Sequence, residues 1–175
     1  MRSKRARRSL VALTAALALA SAAHAPAQPV QATELKAAFI FNFVVFTEWP
    51  RQALAEGAPI TVCVSATNAM LPALSQLNDK PVNGHRIVLR PSATPLRGCN
   101  VLVLDRGDRE QWAQYKRELA GSQVLTVADD LGADGAVIAL SMQNQRIGFD
   151  VDLNAARGSQ LNLSSKLLRL ARSVQ

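Results

Sequence analysis

The fold class is decided by the run Asn100-Val101-Leu102-Val103-Leu104-Asp105, by the helical segment that follows it, and by the next run, Val124-Leu125-Thr126-Val127. The first run is apolar enough to be a central strand. Asp108 is predicted to open a helix in which Gln111 suits a capping-box arrangement, and Gly121 provides its C-terminal stop. Helical spacing places three residues on one face of this helix: Trp112, Tyr115 and Leu119.

Strands and helices also alternate on both sides of this stretch. Residues 147–153 alternate apolar and polar side chains, which is typical of a half-exposed antiparallel strand near an edge. The other strands are predicted at residues 60–64, 86–89 and 136–140, and Asn83-Gly84 is predicted to be a tight turn. We therefore expect an α/β fold, a three-layer sandwich whose mixed, mainly parallel sheet has about five to six strands with flanking helices.

The first 25 residues have the composition of a signal peptide. A basic head containing five Arg and Lys residues precedes an apolar run from Leu10 to Ala20 and a small-residue stretch. Spanning a bilayer takes about 20 apolar residues, so cleavage is favoured over an uncleaved membrane anchor. We predict a cut between residues 23 and 27, a flexible leader over residues 26–32, no membrane span after cleavage, and a periplasmic location.

The charge balance changes once the signal peptide is removed. The chain has 20 basic and 13 acidic residues. Five basic residues lie in the signal peptide and no acidic ones do, so the mature chain keeps 15 basic and 13 acidic residues, a net charge of +2. Without a concentrated basic patch, nucleic acid is not an expected partner. Residues 33–175 have the size of a single domain.

Cys63 and Cys99 are the only cysteines. In an exported protein an even pair predicts a disulfide. A bond that closes a loop of this size contributes roughly 3.5 to 4 kcal/mol in the chain-entropy model. A structural role is favoured, and a redox-sensitive latch is the alternative.

The first and last helices are the candidate contact elements. The first begins near Thr33, ends before Trp49-Pro50, and is apolar on nearly every side, so it is either a core helix or a docking element; alternation at residues 39–43 also leaves a strand open. The last is predicted from about Ser164, with Leu163, Leu167, Leu170, Ala171 and Val174 on its apolar face. The candidate partner or dimer contacts are Phe39, Phe43, Phe46, Lys166 and Arg169.

No set of residues predicts catalysis, a cofactor or a metal. His85 is the only histidine left after cleavage, and no Gly-x-Ser-x-Gly elbow accompanies it. Asp129, Asp130 and Asp134 do not have the spacing of a calcium-binding loop and are interpreted as a polar turn. Asp150 and Asp152 share a strand face, where solvent exposure is favoured over a carboxylate pair. We therefore expect a protein that is not an enzyme.

Three segments together resemble the YfiR family. They are residues 35–50 with their Phe-rich helix, the Cys63 strand paired with residues 98–102, and residues 146–171 with their Leu-Leu-Arg-Leu-Ala ending. In their order and spacing, these segments extend over nearly the whole mature chain. In this family Asn is expected at the position of Asp152.

The resemblance implies a periplasmic, non-enzymatic domain that binds and inhibits a membrane signalling protein. The best-known members restrain an inner-membrane diguanylate cyclase by binding its periplasmic region, which limits cyclic di-GMP and biofilm growth. It also implies a disulfide between Cys63 and Cys99, and homodimers. The alternative function is a periplasmic small-ligand-binding or accessory module of a transport or outer-membrane system.

Overall fold

The computed structural model describes residues 32–92, 95–132, 134–144 and 146–175. The predicted signal peptide, residues 1–25, lies outside the described residues, as does the leader apart from its last residue. None of the described helices is long and apolar enough to cross a bilayer.

Helices and strands alternate along the described chain. The helices are α1 (Ala32–Val45), α2 (Leu71–Ser75), α3 (Trp112–Leu119), α4 (Leu153–Gly158) and α5 (Ser165–Leu168). The strands are β1 (Thr47–Glu48), β2 (Ile60–Val64), β3 (Pro81–Val82), β4 (His85–Pro91), β5 (Val101–Leu104), β6 (Leu125–Asp129), β7 (Ile138–Gln143), β8 (Arg146–Val151), β9 (Asn162–Leu163) and β10 (Ser173–Val174).

One mixed sheet organises the domain. Its strand order is β10-β8-β7-β6-β5-β2-β4-β3. Five neighbouring strands of this order are parallel to one another: β7, β6, β5, β2 and β4. Taken in chain order, these five give the doubly wound order 2-1-3-4-5, in which the chain changes direction across the sheet between β2 and β5. β3 and β8 are antiparallel to the strands they extend, and β1 pairs with β9 in a separate two-stranded sheet.

The six predicted strands are all present, and the expected α/β class is confirmed. Two short strands, β3 and β10, extend the predicted sheet to eight. The predicted tight turn joins β3 to β4, where Asn83 and Gly84 have φ values of 49° and 83°. Two consecutive positive φ values match the right-handed twist of a hairpin, and Asn-Gly is the pair that tolerates them.

The sheet buries a separate core on each face. Under α1 the core includes Ile40, Phe43, Val62 and Leu125, whereas under α3 it includes Leu102, Leu104, Trp112 and Leu119. Neighbouring residues of β5 alternate between the two cores because side chains of a strand point to opposite faces. Helices cover both faces, which gives the expected three layers.

Aromatic packing holds α1 on its face of the sheet. The Phe43 ring lies 4.9 Å from the Phe149 ring in β8, and Phe39 lies 6.2 Å from each of them in edge-to-face geometry. Phe43 is only 1% exposed. Of the sequence alternatives for this segment, the structure therefore selects a core helix over a strand.

The prediction for the end of the last helix was wrong. The last helix ends at Leu168 instead of continuing to Val174, because Arg172 and Gln175 donate backbone hydrogen bonds to Phe149 and Val151 of β8. The resulting strand β10 pairs with β8. β8 is antiparallel to β7 and lies one strand from the edge of the sheet, as its alternating pattern predicts. Leu170, expected on an apolar helix face, is 70% exposed as a consequence.

The predicted cap of the middle helix is also corrected. The capping box joins Asp105 to Asp108 around a 3-10 turn at Arg106–Asp108, and α3 begins only at Trp112, without a side-chain cap from Gln111. Asp108 is 5% exposed and accepts a hydrogen bond from the Asp105 backbone N–H. Its carboxylate is therefore already engaged one turn before the helix begins.

Replacing Phe43 with Ala should reduce the free energy of unfolding by about 3–5 kcal/mol, because it leaves a cavity between α1 and the sheet. Urea denaturation followed by circular dichroism measures this loss. Leu170→Ala is the matched control and should change stability by less than about 0.5 kcal/mol. A loss of under about 1 kcal/mol for Phe43→Ala would contradict the placement of α1.

Candidate functional site

The two cysteines form the expected disulfide. Cys63 lies in β2 and Cys99 lies two residues before β5, the neighbouring parallel strand, with their Cα atoms 5.8 Å apart. They are 3% and 5% exposed. A redox latch must be reached by a thiol in solution, whereas this bond lies in the core under α3. Burial favours the structural role over the latch.

A buried ion cluster joins the start of α1 to the end of β6. Lys36 Nζ lies 2.6 Å and 2.8 Å from the two carboxylate oxygens of Asp129 and 3.2 Å from Asp130 Oδ2. The side chains of Lys36 and Asp129 are 10% and 11% exposed. The contact spans 93 residues of sequence, so it fixes the position of α1 relative to the carboxyl edge of the sheet.

Burial and charge act in opposite directions within this cluster. Burial disfavours the charged ammonium, but hydrogen bonds and attraction from Asp129 and Asp130 outweigh it and raise the pKa of Lys36 above 10.5. Burial raises the pKa of Asp129 above 3.8, more than the hydrogen bond and charge of Lys36 lower it. The carboxylate is therefore the member of the pair that depends on its partner.

The other end of α1 is attached to the C-terminal segment. Ser164 N–H donates to Phe46 O at 2.9 Å, and Thr47 pairs with Leu163 in the two-stranded sheet. The Thr47 hydroxyl also donates to Phe43 O at 2.7 Å. These bonds bring the end of the Phe-rich helix directly beside the start of α5, two segments that the sequence placed far apart.

The proposed contact residues divide into core and surface. Phe43 is buried, so it is not available for direct contact, and Phe39 and Phe46 are half-buried. Lys166 and Arg169 are exposed. Lys166 lies within α5, and Arg169 and Leu170 follow its last residue. We call Lys166, Arg169 and Leu170 the C-terminal surface.

The two carboxylates of the β8 region have separate structural partners. Asp150 binds the Arg172 guanidinium and the Ser173 hydroxyl, and the hydrogen bond from Arg172 holds the pKa of Asp150 below its ordinary value. Asp152 caps α4 by accepting from Ala155 N–H at 2.8 Å. Neither is a free carboxylate on a solvent-facing edge. Asn, expected at position 152 from the family, would provide the same type of cap.

Other candidate chemical groups also make structural contacts. His85 Nδ1 lies 2.7 Å from Ala58 O. Asp134 offers its backbone carbonyl to Trp112 Nε1 and Lys116 Nζ, both at 3.3 Å. Within the described ranges no group of three or more acidic, histidine or cysteine side chains could hold a metal ion.

Comparison with known proteins assigns the chain to a family. A family model described as YfiR/HmsC-like matches residues 33–172. The chain belongs to the YfiR/HmsC-like family. This confirms the resemblance and identifies a regulatory, non-catalytic, periplasmic family. The chain is also similar in fold to the crystal structure of a conserved domain protein from Vibrio cholerae O1 biovar eltor strain N16961, at 8% identity and a TM-score of 0.50. That match covers 83% of this chain and spans 61% of that one.

The ion cluster is the feature that sequence reasoning missed. The sequence pattern indicates a polar turn for Asp129 and Asp130, yet Asp129 is 8% exposed. A signal was present in the YfiR-like sequence: Lys36 is the only charged residue between Glu34 and Glu48. A lone charge on an otherwise apolar helix needs a buried partner.

Replacing Lys36 with Met should lower the free energy of unfolding by about 3–5 kcal/mol at pH 7, because Asp129 is left buried without its cation. The loss should shrink towards pH 4. With its folded-state pKa raised above 3.8, Asp129 keeps a proton that the unfolded chain releases, so stability falls as the pH rises through this window. Urea titrations at several pH values measure both effects.

Two further variants test the cause. Lys166→Met removes an exposed Lys and should leave stability within about 0.5 kcal/mol. Lys36→Met combined with Asp129→Asn should recover most of the loss, because no buried charge remains. A pH-independent loss that the second substitution does not recover would contradict the ion-pair interpretation.

Replacing both Cys63 and Cys99 with Ala should lower the free energy of unfolding by about 3.5–4 kcal/mol, because the unfolded chain is no longer cross-linked. Chemical denaturation measures this loss. Alkylation followed by mass spectrometry should label neither cysteine in the native protein and both after unfolding with a reductant. Two reactive thiols in the native protein would contradict the structural role.

Proposed function

We propose that this protein is an exported regulator that binds the periplasmic region of a membrane-bound diguanylate cyclase and restrains it. Family membership supports a periplasmic regulatory role, and the first 25 residues have the composition of a signal peptide. Binding then limits cyclic di-GMP and biofilm growth.

The exposure of the apolar side chain of Leu170 is the observation that carries this proposal. This residue is 70% exposed, at the end of a short helix whose Leu167 is 2% exposed. The backbone on either side is held by Ser164 N–H to Phe46 O and by Arg172 N–H to Phe149 O, at 2.9 Å and 2.8 Å. An apolar side chain presented by an anchored backbone loses little conformational freedom on binding.

The flanking charges define the chemistry of the partner. Lys166 and Arg169 are exposed and form no ion pair in the part of the chain that the structure describes. An apolar centre with a polar rim is the usual anatomy of a protein interface. The matching surface on the cyclase would have an apolar recess for Leu170 and carboxylates at its margin, which would also accelerate association.

The end of α1 provides a second part of the proposed interface. Phe46 is half-buried and directly precedes β1, whose partner β9 leads into α5. Phe39 is half-buried over the aromatic cluster. Phe43 supports Phe39 from the core. The family resemblance also implies homodimers. A homodimer that used the C-terminal surface would compete with the cyclase for it. The oligomeric state of the protein is therefore measured in the same samples as its binding to the cyclase.

Deleting the gene should raise cellular cyclic di-GMP, and the wild-type gene should restore the original level. Leu170→Asp should weaken binding to the cyclase at least about tenfold and fail to restore it, because a carboxylate cannot be buried among apolar and acidic groups. Mass-spectrometric quantification of cyclic di-GMP and in-cell photocrosslinking from position 170 provide the two readouts.

Arg86→Asp is the matched control, an exposed position on β4 at the other side of the sheet. It should restore cyclic di-GMP like the wild type. Both variants must reach the periplasmic fraction and keep the wild-type melting temperature. An unchanged cyclic di-GMP level after deletion, or a Leu170→Asp protein that restores it fully, would refute the proposal.

A further inference from the structure

We infer that the amino edge of the sheet contains a binding site for a small hydrophilic oxyanion, a solute that bears a carboxylate or a phosphate. A cavity of about 470 Å³ lies at this edge. It is formed where β2, β5 and β6 begin and is lined by residues that precede each of them, including Pro59, Asn100 and Val124. Its volume is within the range of small-molecule sites, about 300–1,000 Å³.

The opposite edge of the sheet is closed by the protein itself. Ligands in doubly wound folds usually bind at the carboxyl edge, where the chain changes direction between neighbouring strands. Here Asp105, after β5, accepts a hydrogen bond from Ala69 N–H at 3.0 Å, and Asp129, at the end of β6, is paired with Lys36. Protein groups therefore satisfy the carboxylates of the usual position.

Among the described residues, the lining of the cavity has one cation and no acidic side chain. Arg97 is the charged member of the set of residues that line it. In the described part of the chain its side chain makes one hydrogen bond, from Nε to Glu118 O at 3.4 Å, and no ion pair. The Glu118 carboxylate is instead engaged by Leu96 N–H at 2.6 Å. The two terminal nitrogens of Arg97 remain available for an oxyanion, which the guanidinium binds in a two-pronged manner.

A buried hydroxyl provides an independent indication of a ligand. Ser122 lines the cavity and is 9% exposed, yet its Oγ has no hydrogen-bond partner among the described residues. Leaving a buried polar group unpaired costs about 1–3 kcal/mol, so such groups normally have a partner. An oxyanion held by Arg97 would accept a hydrogen bond from this hydroxyl.

The walls of the cavity are held in place by structural bonds. Asn100 Oδ1 accepts from Thr61 N–H at 2.8 Å, and Asn100 Nδ2 donates to Ala53 O at 3.2 Å. The Cys63–Cys99 disulfide fixes the backbone next to Asn100. Open space surrounds Gly98, because a Cβ placed there would meet no atom within 4 Å. The site is therefore preformed rather than assembled on binding.

Citrate and inorganic phosphate are the two probes for this site. Each is titrated at constant ionic strength into the full-length protein, purified from cells that express it, and followed by calorimetry and by amide chemical shifts. Binding should be tighter than about 1 mM for at least one probe, and the shifts should centre on Arg97, Ser122 and Gln123. The tighter probe identifies a carboxylate or a phosphate as the preferred group.

Three variants, each shown to be folded like the wild type, distinguish binding at this site from general ion binding. Arg97→Gln should weaken the tighter probe at least about tenfold, and Ser122→Ala about threefold to tenfold. Arg86→Gln, an exposed Arg on β4, should leave the affinity unchanged. Failure of both probes to bind, or equal affinities of Arg97→Gln and Arg86→Gln, would overturn the inference. Neither outcome depends on the proposed cyclase partner, because no partner is present in the experiment.

Discussion

Burial of α1 on the sheet is the constraint on which the rest of the structure depends. The helix is apolar on almost every side, so it cannot be stable as a surface helix in water. One side is satisfied by the aromatic cluster with Phe149, and Ala37, Ile40 and Val44 extend that contact in the same core. The sheet must therefore present a wide apolar face, which its five parallel strands provide.

Apolar packing alone does not determine how such a helix is rotated about its axis, because almost any rotation buries apolar surface. Lys36 removes this ambiguity, since in the part of the chain that the structure describes its ammonium pairs with carboxylates only at the last residue of β6 and the residue after it. At the other end, the Thr47 hydroxyl and the β1–β9 pairing fix where the helix stops. One ion cluster and one short sheet thus specify the position of an otherwise featureless helix.

Local sequence patterns predicted the sheet well because each strand has an apolar run bounded by turn residues. They also predicted the disulfide, since the chain has only two cysteines and the composition of an exported protein. The contact between Lys36 and Asp129 spans 93 residues and has no local pattern. The last helix was predicted too long for a related reason. Helical spacing near residues 170–174 is a local signal, whereas pairing with β8 is a long-range interaction that overrides it.

Doubly wound folds commonly bind nucleotides or other ligands at the carboxyl edge of the sheet. The contact that positions α1 occupies this edge here. Lys36 enters that edge from α1 and satisfies Asp129, so the position where a ligand would be held is used to orient a helix. The same helix, through Phe46 O, holds the start of α5 and with it the exposed Leu170. A contact that occupies the usual ligand position therefore also supports the surface that we propose for a protein partner. Any substitution that loosens α1 should disturb that surface without touching it, because the two are joined by backbone hydrogen bonds rather than by flexible side chains.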